Sequence, residues 1–210
     1  MNVVIFGSTG HTGRRLVTGA LARGHMVTAV ARKPEKVTIA HERLRVLRAD
    51  VLDYASVDLA VAGQDAVLVA LGADSLRRPT AAPSQGVQHI IMAMKKHGVR
   101  RLVCLSAAGV GLQPDPNLSF FFRRIMQPLF LRNVLPELRH MEVNVRQSGL
   151  DWTLVRPPWV TYGEAIGRYR VEPGYTLPLG RRIARADLAD FMLKQLESTE
   201  HVGHAVAIAY

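Results

Sequence analysis

Glycine spacing near the start of the chain constrains its fold more than any other feature. A short apolar run at residues 3–6 passes directly into Gly7, Ser8, Thr9, Gly10, His11, Thr12 and Gly13, with a glycine at every third position. An amphipathic pattern begins at once and continues to Arg23 and Gly24. The pattern predicts a strand, a tight turn and a helix. Gly7 lets the chain leave the strand sharply, Gly10 leaves room for a ligand against the main chain, and Gly13 lets the helix pack close to the strand. The open N–H groups and positive dipole end of that helix suit an anion. Residues 7–13 together therefore predict a site for the pyrophosphate of a dinucleotide.

Strand and helix patterns then alternate, which predicts an α/β fold: a parallel sheet with helices on both faces. Strands are expected at 26–31, 44–48, 66–70, 102–105 and 152–155, with an edge strand at 206–208. Asp53 is placed to cap a helix ending near Ala62, and Ser84 to cap a longer one ending at His97 before Gly98. Helices are also expected at 136–147 and 185–197. Residues 109–135 break the pattern and read as an insertion after the fifth strand, on the side where open α/β sheets bind ligands. Residues 157–182, rich in Gly, Pro and Tyr, read as substrate-side loops with a short hairpin. The length of 210 residues suits a single domain spanning 1–210.

The composition narrows the function classes. The single cysteine, Cys104, lies in an apolar run and reads as a buried small hydrophobe; there is no disulfide framework or metal-type cysteine spacing. With no basic leader and no apolar run near the ~20 residues of a membrane span, a cytoplasmic location is expected. The net charge of +10 points to an anionic partner. The arginine and lysine doublets are scattered over different elements, so nucleic acid is not expected, and the anion is read as a cofactor or small-molecule substrate. A monomer or homodimer is expected.

The expected strand ends carry the chemistry. Arg32 and Lys33 follow the second strand, roughly 20 residues past the glycines, where a carboxylate would hold the ribose 2′-hydroxyl of NAD. Two cations there predict NADP(H) over NAD(H), with Arg32 gripping a 2′-phosphate. Asp50 and Val51, after the third strand, are placed to meet the adenine, although Asp50 could equally cap its local turn. Leu71, Gly72 and Ala73 follow the fourth strand and line the middle of the cofactor. Ser106 follows the fifth, where its hydroxyl can bond a substrate carbonyl or a carboxamide. Pro157, Pro158 and Trp159 follow the sixth; the prolines stiffen the exit, and Trp159 either walls the nicotinamide pocket or packs in the core.

These residues together resemble the atypical short-chain dehydrogenase/reductase superfamily, in particular the group of biliverdin-IXβ reductase/flavin reductase and bacterial NADH-flavin reductase-like proteins. The likeness covers nearly the whole chain. It rests on Phe6 to Gly13, Ala31-Arg32, Ala49 to Leu52, the Ala-Gly-Gln-Asp-Ala-Val run at 62–67, Ser148-Gly149-Leu150, Arg156-Pro157-Pro158 and the segment 185–193. It implies a Rossmann-type doubly wound sheet in three αβα layers, with NADPH held by Gly7, Thr9, Gly10, Thr12, Gly13 and Arg32. The serine matching Ser106 faces nicotinamide and substrate in that family. The reaction implied is hydride transfer to a flat conjugated acceptor, such as a flavin or a linear tetrapyrrole.

The chain departs from the pattern in three places. No tyrosine is followed by lysine at the Tyr-x-x-x-Lys spacing, which argues against ordinary alcohol and ketone chemistry. Trp159 stands where the tetrapyrrole reductase carries histidine, and the 109–135 insertion is longer than in that enzyme. Within the insertion, Phe120, Phe121, Phe122, Ile125, Met126, Leu129, Phe130 and Leu131 interleave with Arg123, Arg124 and Arg132; they could form a substrate lid, a dimer or membrane-surface patch, or a helix packed on the core. His140 and the tyrosines 162, 169 and 175 are the remaining acid–base candidates. Two other functions stay open: a redox sensor that binds NADP(H) without turnover, and an epimerase or dehydratase that retains its cofactor.

Overall fold

A computed structural model describes residues 1–72, 81–111, 115–118, 120 and 122–210. Its central sheet has eight strands: β1 (Asn2–Phe6), β2 (Met26–Ala31), β3 (Leu44–Arg48), β4 (Ala66–Val69), β5 (Arg101–Leu105), β6 (Asp151–Arg156), β8 (Arg170–Pro173) and β10 (His204–Ala209). They lie in the order β3-β2-β1-β4-β5-β6-β10-β8. Neighbours are parallel except β8, which runs antiparallel to β10. A separate parallel pair joins β7 (Trp159–Thr161) to β9 (Arg182–Ala184).

The apolar runs form strands because both faces of the sheet are covered. Successive β1 residues feed opposite layers. Val4 and Phe6 enter the core beneath α2 (Tyr54–Val61), α3 (Ser84–His97) and α4 (Leu135–Arg146), while Val3 and Ile5 enter the core beneath α1 (His11–Ala22) and α5 (Arg185–Lys194). The chain order reverses between β1 and β4, the switch point at which such sheets open a crevice for ligands.

Three expectations need correction. The strand around 206–208 is not an edge: β10 is enclosed between β6 and β8, and β8 holds that edge. Residues 157–182 form no hairpin; β7 and β8 pair instead with the distant β9 and β10. Ser84 does not cap α3 but begins it after Pro83, and its hydroxyl donates to Glu137 Oε2 at 2.5 Å, tying α3 to α4. Asp53 does cap α2, its carboxylate accepting from the Ala55 N–H at 3.2 Å.

Candidate functional site

The turn after β1 depends on glycine for steric reasons. Gly7 has φ +82°, and a Cβ there would lie 2.4 Å from the Ala70 carbonyl oxygen. A Cβ on Gly13 would lie 2.0 Å from the Gly7 oxygen, so the helix can sit on the turn only without one. The Ser8 hydroxyl donates to the Val30 carbonyl at 2.6 Å, and Arg14 donates to the carbonyls of Thr9 and Lys36, both at 3.2 Å. These bonds fasten the turn to the end of β2. No side chain caps the start of α1 and no acid stands in its first turn, so its N–H groups and dipole remain available to an anion.

In front of this turn lies a cavity of about 340 Å³. Gly7, Thr9 and Gly10 form one end, Arg32 and Asp50 stand beyond β2 and β3, and Val51, Leu71 and Gly72 complete the wall. Eight of the expected binding residues thus meet around one space. Asp50 has a structural task as well, since its Oδ1 accepts the Leu52 N–H at 3.0 Å. Ser8 uses its hydroxyl inside the protein, Gly13 lies beneath the turn, and Thr12 is half-buried on α1. His11 is exposed, with its ring edge-on to Tyr162 at 5.1 Å. Lys33 is exposed ahead of the short turn Pro34–Lys36. Ala73 and Phe121 lie outside the described residues.

A second, larger cleft of about 750 Å³ opens beyond the ends of β5 and β6. Ala107 and Ala108 form its floor on one side, and Pro157, Pro158 and Trp159 on the other. The Ala108 N–H donates to the Pro157 carbonyl at 2.9 Å and joins the two strand exits. Trp159 is 70% exposed, so it is a cleft wall and not core. The insertion supplies the opposite wall: a wide helical turn at Phe122–Phe130 presents Phe122 and Met126 to the cleft, and Leu118 and Leu131 flank them. The loop before β9 closes the remaining side with Thr176, Leu177, Leu179 and Arg181.

Behind the floor lies a buried polar group whose acid the sequence reading missed. Glu142 on α4 is 1% exposed; it accepts from Arg156 Nε at 2.8 Å, from Arg156 Nη2, and from the Ser106 hydroxyl at 2.7 Å. Arg156 also donates to the Gly174 carbonyl at 3.1 Å. The Ser106 hydroxyl donates to Glu142, so its hydrogen points inward, away from both cavities. Ser106 is itself buried and lines neither cavity. Two signals in the sequence could have exposed this group. Glu142 falls on the apolar stripe of Leu138, Met141 and Val145, and Arg156 ends an otherwise buried strand.

The remaining acid–base candidates stand apart from the cleft. His140 is exposed on α4. Burial and neighbouring Asp190 push the Tyr169 hydroxyl above its usual range, and it packs edge-on to Phe191 on α5. Tyr162 lies between His11 and the Arg185 guanidinium, 3.9 Å from its ring centroid. Tyr175 is exposed and does not line the cleft. Burial pushes the Cys104 thiol upward and makes it inert. Among the described residues no cluster of His, Cys, Asp and Glu could hold a metal ion, and no helix is long and apolar enough to cross a membrane.

A family model described as NAD(P)H-binding matches residues 7–199. Over 99% of its length the chain is 30% identical to (4-alkanoyl-5-oxo-2,5-dihydrofuran-3-yl)methyl phosphate reductase of Streptomyces griseus, covering 67% of that protein. A Bacteroides thetaiotaomicron structure provisionally named an epimerase is 30% identical, with TM-score 0.82 over 100% of this chain and 96% of that one. A Streptococcus pneumoniae structure provisionally named an NADH-flavin reductase shares the fold at 20% identity, with TM-score 0.81 over 100% of this chain and 99% of that one. The chain belongs to this NAD(P)H-binding family and has the Rossmann fold.

Proposed function

We propose that the protein is an NADPH-dependent reductase that passes a hydride to a flat, conjugated acceptor. One observation carries this reading: a groove in front of the glycine turn and an apolar cleft lie along the same edge of the sheet, and among the described residues no histidine, tyrosine, cysteine or carboxyl group lines the cleft. The groove suits the cofactor because the turn is a glycine cradle that a Cβ would fill, at the uncapped start of a helix. Gly7, Thr9 and Gly10 would hold the pyrophosphate, Asp50 and Val51 the adenine side, and Arg32 the 2′-phosphate. When bound, the reduced nicotinamide supplies the hydride.

The protein's own contribution is positioning and exclusion of water. Ala107, Ala108, Pro157 and Pro158 form a stiff apolar floor, and Trp159, Phe122 and Met126 offer flat or adaptable surfaces to a planar acceptor. Ser106 donates its hydrogen bond to Glu142 and lines neither cavity, so it is not aimed at an acceptor in the cleft. That favours acceptors whose reduced form takes its proton from water, of which a flavin is the model. The reductase name of the Streptomyces griseus relative supports the reaction class.

Titration of purified protein with NADPH and NADH tests the cofactor half. NADPH should bind tighter, and Arg32→Asp should abolish the preference; an unchanged ratio would refute the assignment of Arg32. A second reading, an epimerase that keeps its cofactor, draws on the Bacteroides thetaiotaomicron relative. It would be marked by nicotinamide cofactor that copurifies and resists exchange.

A further inference from the structure

Large exposed apolar side chains gather at the lip of the acceptor cleft. Phe120, Leu129, Trp159 and Leu179 are large, apolar and 67–85% exposed. Trp159 and Leu179 line the cleft itself. Leu129 lies on the same wide turn that sends Phe122 and Met126 into the cleft, and it faces outward together with Ile125. The large apolar surface therefore surrounds the opening and continues from its interior.

The charge around this lip has one sign. Residues 116–136 hold Arg123, Arg124 and Arg132 with no acid, and residues 173–184 hold Arg181 and Arg182 with no acid. Arg123 and Arg124 are exposed between Phe122 and Ile125, and the Arg124 guanidinium lies 5.8 Å from the Phe120 ring centroid. Exposed apolar side chains interleaved with arginines match the interfacial zone of a bilayer, where apolar groups enter the acyl boundary and guanidinium groups meet phosphates. A second copy is a poor occupant. A two-fold interface would set this acid-free face against itself and oppose arginine to arginine.

We propose that this face docks on the surface of an anionic bilayer and that the cleft opens toward the lipid. The docking itself does not depend on the reductase reading. Its consequence for that reading is the acceptor's source: a flat, lipid-soluble molecule would enter the cleft from the membrane without crossing water.

The test is co-sedimentation of the full chain with phosphatidylcholine vesicles, with and without phosphatidylglycerol, in the absence of NADPH and acceptor. Binding should require phosphatidylglycerol and weaken as salt is raised to about 0.5 M. The double variant Arg123→Gln/Arg124→Gln should lower the partition coefficient about 30-fold, at roughly fivefold per arginine. Both side chains are exposed, so the fold should survive. Brominated lipids should quench Trp159, while Trp152, only 8% exposed, should be spared. No binding to anionic vesicles, or binding unchanged in the double variant, would overturn the proposal. So would concentration-dependent dimers that the double variant dissolves, since the face would then join two copies of the chain. Vesicle binding without NADPH oxidation would leave the docking standing and count against the reductase reading alone.

Discussion

Replacing Glu142 with leucine tests whether one buried carboxylate holds the acceptor cleft together. Glu142 joins three segments: Ser106 at the exit of β5, Arg156 at the exit of β6 and, through Arg156, the Gly174 carbonyl ahead of the loop at 176–181. Each segment continues directly into cleft wall. The variant removes the acceptor of the Ser106 proton and leaves the Arg156 guanidinium, 9% exposed, without its counter-charge. Breaking a buried ion pair from one side costs about 3–5 kcal/mol, a large fraction of the ~5–15 kcal/mol that holds a domain folded. For a chain of this size the midpoint should fall by roughly 6–20 °C. Arg156→Leu should cost less, because Arg146 Nη2 still stands 3.7 Å from Glu142 Oε2 and Ser106 still donates to Oε1.

The double variant Glu142→Leu/Arg156→Leu strands no buried charge, since Arg146, the other cation beside Glu142, is a third exposed. It should lose only about 1–2 kcal/mol, chiefly from the unpaired Ser106 hydroxyl, and should be more stable than either single variant. Urea unfolding followed by circular dichroism measures all three. Additive losses, or a single-variant loss under about 1 kcal/mol, would refute the assigned coupling.

Three further outcomes follow from particular contacts. Gly13→Ala should destabilise the chain by about 3 kcal/mol or more, since its Cβ would lie 2.0 Å from the Gly7 oxygen, and nucleotide binding should fail with it; a calorimetric scan and a titration check both. Cys104 should resist a thiol-specific maleimide in the folded protein and react only when urea exposes it, because burial both shields the thiol and disfavours the thiolate. Asp187 is pushed up by burial, but bonds from the Tyr210 hydroxyl and the Ile166 and Gly167 N–H groups outweigh this and hold it below the usual carboxylate range. A depressed folded value contributes stability above the unfolded value of about 4 that is lost as pH falls through the folded one. Asp187→Asn should therefore be less stable than the parent at neutral pH, with the gap closing under acid unfolding below about pH 4.

What could be read from the sequence was what local spacing determines. The strand, glycine turn and helix at the N-terminus depend on contacts within a few residues, and Gly7 and Gly13 sit where the spacing placed them because the backbone leaves no room for a Cβ. The parallel strands announced themselves as apolar runs because both sheet faces are covered. Long-range pairing was harder to read. Nothing local tells residues 206–208 that Val171 and Glu172 will lie alongside and take the edge. Ser84 looked like a cap because hydroxyls favour that position, but Pro83 precedes it and Glu137, distant in sequence, takes its proton. Ser106 was found at its strand end, yet its orientation depends on Glu142, thirty-six residues on, and so could not be foreseen.

The most direct test of the account is protein-dependent oxidation of NADPH by FMN in the wild type and in Met126→Trp, which fills the cleft from the insertion side. The account predicts oxidation that requires both protein and acceptor, and a variant whose kcat/KM for FMN falls about tenfold or more while its NADPH affinity is unchanged. Oxidation that ignores the filled cleft would contradict the assignment of the acceptor site. Tight NADPH binding with no protein-dependent oxidation by FMN or by a quinone would contradict the central claim that this protein is a reductase.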